Sequence, residues 1–256
     1  KSSSDTNDAL NAIEEELAPK FAAHQDAISL NPVLFKRIKD LYDTRESLGL
    51  NTEDAWLLER YYKDLIHKGA HLTEAQRDRL KELNEELSSL QTQFSKNVLA
   101  DTNDLAVLVD SVEELDGLSE NQIAAAAAAA KDRGHDGKWL VGMVNFTGNP
   151  VLDSLTNRPL RKKIMEASLL KANRDNDNDN KQVLLKMVKL RAERAKLFGS
   201  ETHAEHVIAV QTAEHPDNVH AMLRKIAPAA ARNAKAEAED LKTSAGTDIE
   251  SWDWGF

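Results

Sequence analysis

TEAQRDRLKELNEELSSLQTQFSKNVLAD, residues 73–101, sets Leu80, Leu83, Leu87, Leu90, Phe94 and Val98 at three- and four-residue steps, the spacing that aligns side chains along one face of an α-helix. The positions between them carry charges and amides, as the solvated face of such a helix requires. At about 1.5 Å of rise per residue the segment spans roughly 40 Å, long enough to be the spine of an antiparallel helical array. The fold class expected is therefore mainly α.

Upstream of this spine the same period recurs from Ala9 to Ile28 and from Asn31 to Leu48. Asn31-Pro32 is a strong helix start, with Asn as cap and Pro in the first turn, and Gly49 closes that helix. A third helix is expected from Thr52 to Lys68, capped by Asn51 or Thr52, with Trp56, Leu57, Tyr61 and Leu65 as its inner stripe and Gly69 as its stop. Downstream the period changes. Leu105 to Val109 and Lys138 to Val144 are short, apolar and Val-rich, so they read as two strands that pair. Between them Ser119 and Gln122 form a capping box for an alanine-rich helix that stops at Gly134. After Asn149-Pro150 helices resume at Pro159 to Asn173, Asn180 to Phe198, His203 to Ala213 and Pro216 to Thr243. Leu184, Met187, Val188, Ala195 and Phe198 mark the expected buried side of one, and Val219, Met222, Leu223 and Ile226 that of another. The resulting division is residues 1–104 as helical hairpins with one long helix, 105–150 as a two-stranded ribbon with an inserted helix, and 151–256 as a helical bundle. No internal repeat and no linker rich in Pro, Gly or Ser interrupts it.

Composition agrees with helices. Charged residues make up 30% of the chain, whereas Gly and Pro number only 10 and 6, too few for a turn-rich sandwich or barrel. A net charge of −10 with both signs mixed along the helices argues against a duplex nucleic-acid binder. No run reaches the roughly 18 apolar residues of a membrane helix, so no membrane partner is expected. Without Cys, disulfides, thiol nucleophiles and thiolate metal sites are excluded, and a reducing compartment is permitted.

The motifs that chemistry uses fall short one by one. Zincin hydrolases need H-E-x-x-H, and none of the 8 His is followed by Glu. The nearest approach, His203-Ala204-Glu205-His206, offers two imidazoles three residues apart, too few ligands for a metal, and reads as a solvated or capping helix start. Asp175-Asn176-Asp177-Asn178-Asp179-Asn180 has the alternation of a calcium loop, but its sixth position is Asn180 rather than Gly and its twelfth is Lys186 rather than Glu. It reads as a polar loop whose last Asp or Asn caps the next helix. Nucleophile elbows and phosphate-cradling glycine loops are absent, and Glu14-Glu15-Glu16 and Glu113-Glu114 read as solubilising groups on exposed helices. Trp252-Asp253-Trp254 reads as an anchor that buries in a domain expected to follow. No residue is assigned a catalytic, cofactor-binding or metal-ligating role.

One resemblance covers nearly the whole chain from about Asp5 onward. Leu190-Arg191-Ala192-Glu193-Arg194-Ala195-Lys196-Leu197-Phe198-Gly199, followed by His203-Ala204-Glu205, is similar to the "LR-x-E-x-A-x-LLG-(x)-Y-A-E" segment of the zinc oligopeptidase family that includes thimet oligopeptidase, oligopeptidase A and bacterial peptidyl-dipeptidase. Pro216-Asp217-Asn218-Val219, the alanine-rich helix after Pro228 and Trp252-Asp253 follow in that family's order. Arg45-Glu46-Ser47-Leu48-Gly49-Leu50-Asn51, Lys81-Glu82-Leu83-Asn84 and Lys138-Trp139-Leu140-Val141 look most like its peptidyl-dipeptidase branch. His203 stands where the family has Tyr.

The resemblance implies a neurolysin-like, zincin-type N-terminal helical region forming most of one wall of a channel for short oligopeptides. The intact parent would be a cytoplasmic, monomeric zinc metallopeptidase releasing C-terminal dipeptides. Zinc would be its cofactor, and the metal ligands and base would lie beyond Phe256. On this reading both ends are cuts, the chain alone is inactive, and Trp252, Trp254 and Phe256 predispose it to self-association. The competing reading is a non-catalytic helical scaffold or adaptor, and a third is a small metal-binding protein using His203 and His206.

Overall fold

A computed structural model describes residues 6–143 and 150–256. The expected strand end at Val144 and the turn residue Asn149 lie outside them. Among the described residues nine α-helices and a two-stranded antiparallel sheet make the protein mainly α. The chain divides into two compact units, the first built from described residues up to 95 together with 182–218, the second from the described residues of 96–181 and 219–256.

In the first unit, α1 (Asp8–Ser29), α2 (Pro32–Asp43) and α3 (Thr52–Lys68) precede the spine α4 (Glu74–Asp104), and α7 (Lys181–Leu197) and α8 (His203–Ile208) return to it later in the chain. The helix starts are those the caps dictate. The Asn31 side chain accepts from the Val33 and Leu34 amides, Asn51 accepts from the Asp54 amide, and Thr73 and Gln76 cap α4. Gly69 ends α3 in the left-handed region at φ 101°, where a Cβ would stand 2.7 Å from a Leu80 methyl. Arg79 meets Glu193 and Glu86 meets Lys186, so α4 and α7 run antiparallel. Between them Leu83, Leu87 and Leu90 pack on Val183, Met187 and Leu190, and Leu30, Leu72 and Leu80 close a smaller cluster alongside. Each such side chain removed from water is worth about 1.5–3 kcal/mol, so these clusters hold the unit.

In the second unit β1 (Val107–Val109) pairs with β2 (Trp139–Val141), Val107 opposite Val141 and Val109 opposite Trp139. The Ser119–Gln122 capping box starts α5 (Glu120–Asp132), which packs on β2, and α6 (Arg158–Leu169) lies against β1. Val107, Val109 and Val141 face a core completed by Leu115, Met143, Leu155, Leu160 and Ile164. Helix α9 (Pro216–Ala245) carries Pro228 within it and has no buried residue.

Several expected boundaries and faces are corrected. Helix α2 stops at Asp43, not Leu48, because the Thr44 hydroxyl donates back to the Asp40 and Leu41 carbonyls and the chain tightens into a 3-10 turn at Arg45–Ser47. Helix α8 stops at Ile208, not Ala213; beyond it the Gln211 amide donates to the Ile208 carbonyl in a tight turn and the chain passes through the left-handed region at Glu214 (φ 59°). Of the expected stripe on α3 only Leu65 is buried, while Trp56 is 62% exposed and Leu57 and Tyr61 are also exposed. The face that packs is one residue round, where Tyr62 stacks on Tyr42 at 4.1 Å. On α7 Leu184 and Val188 are exposed and Val183 and Leu190 are buried in their stead. That helix has apolar residues on most sides, so its pattern does not select a face. Met222, Leu223 and Ile226 of α9 are exposed.

Helix α6 ends at Leu169, not Asn173, for a tertiary reason. Asp101, at the end of the spine, is 0% exposed. Its carboxylate accepts from the Ala172 amide at 2.7 Å, from Arg174 through Nε and Nη2, and from the side-chain amides of Asn176 and Asn178. To deliver these donors the chain turns at Ala172 (φ 53°) and Asp175 (φ 55°). The polar run 175–180 is thus a wrapper for a buried carboxylate, and its Asp179 caps α7 through the Lys181 amide as the sequence suggests. Contact with Arg174 holds the Asp101 carboxyl far below the usual range against the opposing effect of burial. Asp101→Asn, which leaves Arg174 without its buried counter-charge, should destabilise the protein by about 3 kcal/mol in urea unfolding. Asp104→Asn, at the exposed end of the same arginine, should cost under about 1 kcal/mol; equal losses would refute this assignment.

Candidate functional site

Polar residues gather on the core side of the first unit where the leucine stripes of α4 and α7 are interrupted. Asn84 and Arg194 occupy stripe positions beside Leu83 and Leu87, and Leu190 and Leu197. The single Nδ2 of Asn84 donates to both oxygens of Asp26 at 3.0 and 3.1 Å, and its Oδ1 accepts from Arg194 Nη1 at 3.2 Å. An amide therefore stands between a carboxylate and a guanidinium that do not touch. Burial raises the Asp26 carboxyl above its ordinary value despite the Asn84 bond, and burial lowers Arg194. A cavity of about 230 Å³ opens beside this relay, lined also by His67, Phe198 and His206.

The imidazoles there are stacked. His206 lies between His67, at 4.2 Å and 8° between planes, and Phe198 at 4.1 Å. Burial, then the neighbouring His67 and Arg194, push His206 down to about 4. His67 and His203 are lowered too, chiefly by burial. His203 Nδ1 is buried with no hydrogen-bond partner, and Glu205 is spent on capping, its Oε2 accepting from the Glu201 amide.

These residues do not fit zinc. Imidazole lone pairs lie in the ring plane, so parallel stacked rings cannot aim both at one ion, and Glu205 is turned to the helix start. Among the described residues no group of three or more His, Asp or Glu is placed to hold a metal. The arrangement provides instead a partly buried aromatic stack beside a polar relay. Asp26, His67, Asn84 and Arg194 were not singled out by motif. The available signal was a polar side chain on a core stripe, at Asn84 between Leu80 and Leu87 and at Arg194 between Leu190 and Leu197.

The aromatic finish is anchored within its own unit. Asp253 is buried and accepts from Arg158 and from Arg161, whose side chain is 5% exposed, and the Phe256 ring covers the Arg161 guanidinium at 4.0 Å. Burial pushes the Asp253 carboxyl up, but the two arginines outweigh it and hold it at about 2. Trp252 is half-buried, whereas Trp254 and Phe256 are exposed.

Because folding depresses His206 below its unfolded value, the unfolded chain binds the extra proton between pH 6.5 and about 4. Stability should therefore fall as pH drops through that window, with His67, Arg194 and His203 as the charged or titratable groups acting on the same ring. His206→Phe keeps the stack and removes the titration. Its melting temperature should depend less on pH across the window than that of the unmodified chain, and parallel profiles would refute the assignment.

Residues 151–256 match the sequence pattern of Peptidase family M3. Over 256 residues the chain is 34% identical to the "Dipeptidyl carboxypeptidase" of Escherichia coli (strain K12), an alignment that takes in 98% of this chain and 38% of that protein. It is 31% identical to the protein of the same name from Salmonella typhimurium, again with 98% and 38% covered. Over 244 residues it is 29% identical to the "Probable cytosolic oligopeptidase A" of Arabidopsis thaliana, with 92% and 34% covered. The chain thus spans 38% of the length of the curated dipeptidyl carboxypeptidases it matches. The resemblance read from its motifs holds: this polypeptide is similar to M3 peptidases, among them proteins named dipeptidyl carboxypeptidase and oligopeptidase A.

Proposed function

We propose that this chain is the helical channel-wall region of a zinc metallopeptidase that acts on short peptides and releases dipeptides from their C-terminal end. The observation that carries the reading is similarity over 98% of the chain to dipeptidyl carboxypeptidases of which it spans only 38%. On this reading zinc is the parent's cofactor, bound by residues outside this sequence, and the bundle of residues 151–256 leads toward that catalytic part.

Oligopeptides are the proposed substrates of the parent, admitted because a narrow helical channel accepts extended chains and excludes folded ones. The parent is read as a cytoplasmic monomer. The name of its cytosolic oligopeptidase relative supports the location, and no helix of the described residues is long and apolar enough to cross a membrane.

The test compares this chain with a polypeptide extended to the length of its relatives and carrying H-E-x-x-H. The extended protein should liberate dipeptides from a blocked oligopeptide and stop when a chelator is added. The chain alone should leave the peptide intact. Chelator-sensitive hydrolysis by the chain alone would overturn the proposal, as would an extended protein without peptidase activity, the result a scaffold predicts.

A further inference from the structure

The polar relay of the first unit leaves two opposite charges without a counter-ion at one cavity. Asp26 is 8% exposed, and among the described residues the group that donates to its carboxylate is the neutral amide of Asn84. The other two buried carboxylates, Asp101 and Asp253, each touch a guanidinium. Arg194, half-buried, meets the other end of the same amide, its Nη1 donating to Asn84 Oδ1. Burial raises Asp26 and lowers Arg194, the directions expected of charges that lack a direct opposite charge. An amide returns only part of what each group gives up on leaving water.

Asn84 also fixes the spacing. Its side chain holds the carboxylate at one end and the guanidinium at the other, so the two stand apart by one amide and two hydrogen bonds. Both groups have capacity for further hydrogen bonds. Both line the cavity of about 230 Å³, and Phe198 and Val207 give it an apolar side. His206, held at about 4, is uncharged at neutral pH and does not repel a cation there. Lys68 also lines the cavity but is exposed, so water screens its charge.

We propose that this cavity binds a small zwitterion, a free α-amino acid or a dipeptide with an apolar side chain, its ammonium on Asp26, its carboxylate on Arg194 and its side chain against Phe198 and Val207. Such a ligand supplies both missing counter-charges at once. A simple anion fits less well because Asp26 lines the same space, and a simple cation because Arg194 does. A neutral apolar molecule would leave both charges as they are. All of these side chains belong to the first unit, and the proposal does not depend on the peptidase reading.

The test is calorimetric titration of the 256-residue chain with L-leucine and with L-alanyl-L-leucine. At least one should bind, and the tighter of the two identifies the source of the zwitterion. Leucinamide, which lacks the carboxylate, and 4-methylpentanoate, which lacks the ammonium, should each bind about tenfold more weakly or worse. Arg194→Gln and Asp26→Asn should each abolish binding, with the fold checked by far-UV circular dichroism; where either variant fails to fold, the two analogues decide on the unmodified chain. The proposal is overturned if neither leucine nor the dipeptide binds, or if either analogue matches its parent. It is overturned as well if a polypeptide extended to the length of the relatives loses the binding that depends on Arg194, because the rest of the protein would then fill the cavity. An extended polypeptide without peptidase activity would sink the peptidase reading alone.

Discussion

A carboxylate taken wholly out of water at residue 101 must be answered by donors, and the second unit is arranged to answer it. The loop after α6 turns through two left-handed residues to bring Ala172, Arg174, Asn176 and Asn178 onto Asp101, and only then does α7 begin. The stop of one helix and the start of the next are thus set by an interaction with the end of a third. Two further buried carboxylates show how the kind of partner sets the charge state. Asp253, met by two guanidiniums, is held low, whereas Asp26, met only by the neutral amide of Asn84, is pushed up.

What the sequence discloses is mostly local. The caps at Asn31, Asn51, Thr73 and Ser119, the left-handed stop at Gly69 and the Val-rich ribbon all appear where their residues call for them, because each is decided within a few positions. Faces are harder. Helix α3 has apolar side chains on two sides, and the choice falls to Tyr62 because Tyr42 of α2 is there to stack with it. Helix α7 has Leu184 and Val188 as attractive as Val183 and Leu190, and the register with α4 decides. The pattern of helix α9 records only that an apolar side exists, not that anything covers it.

The polar relay shows the same limit. No short motif joins Asp26, Asn84, Arg194 and His206, which come from positions as far apart as α1 and α8 and meet only once α4 and α7 are aligned. Their one local trace is an amide or guanidinium standing where the stripe calls for a leucine. The zinc-like spacing of His203 and His206, conspicuous in one dimension, leads instead to a ring sandwiched between His67 and Phe198.

The ribbon of β1 and β2 carries a last consequence. Among the described residues each strand has a single neighbour, which leaves one rim of amide and carbonyl groups without a sheet partner there, the feature through which many proteins polymerise. Here each rim is only three residues long. An intruding strand would gain too few rungs to offset the loss of its own freedom, so brevity guards the molecule against fibre growth where another fold would need a charge or a proline.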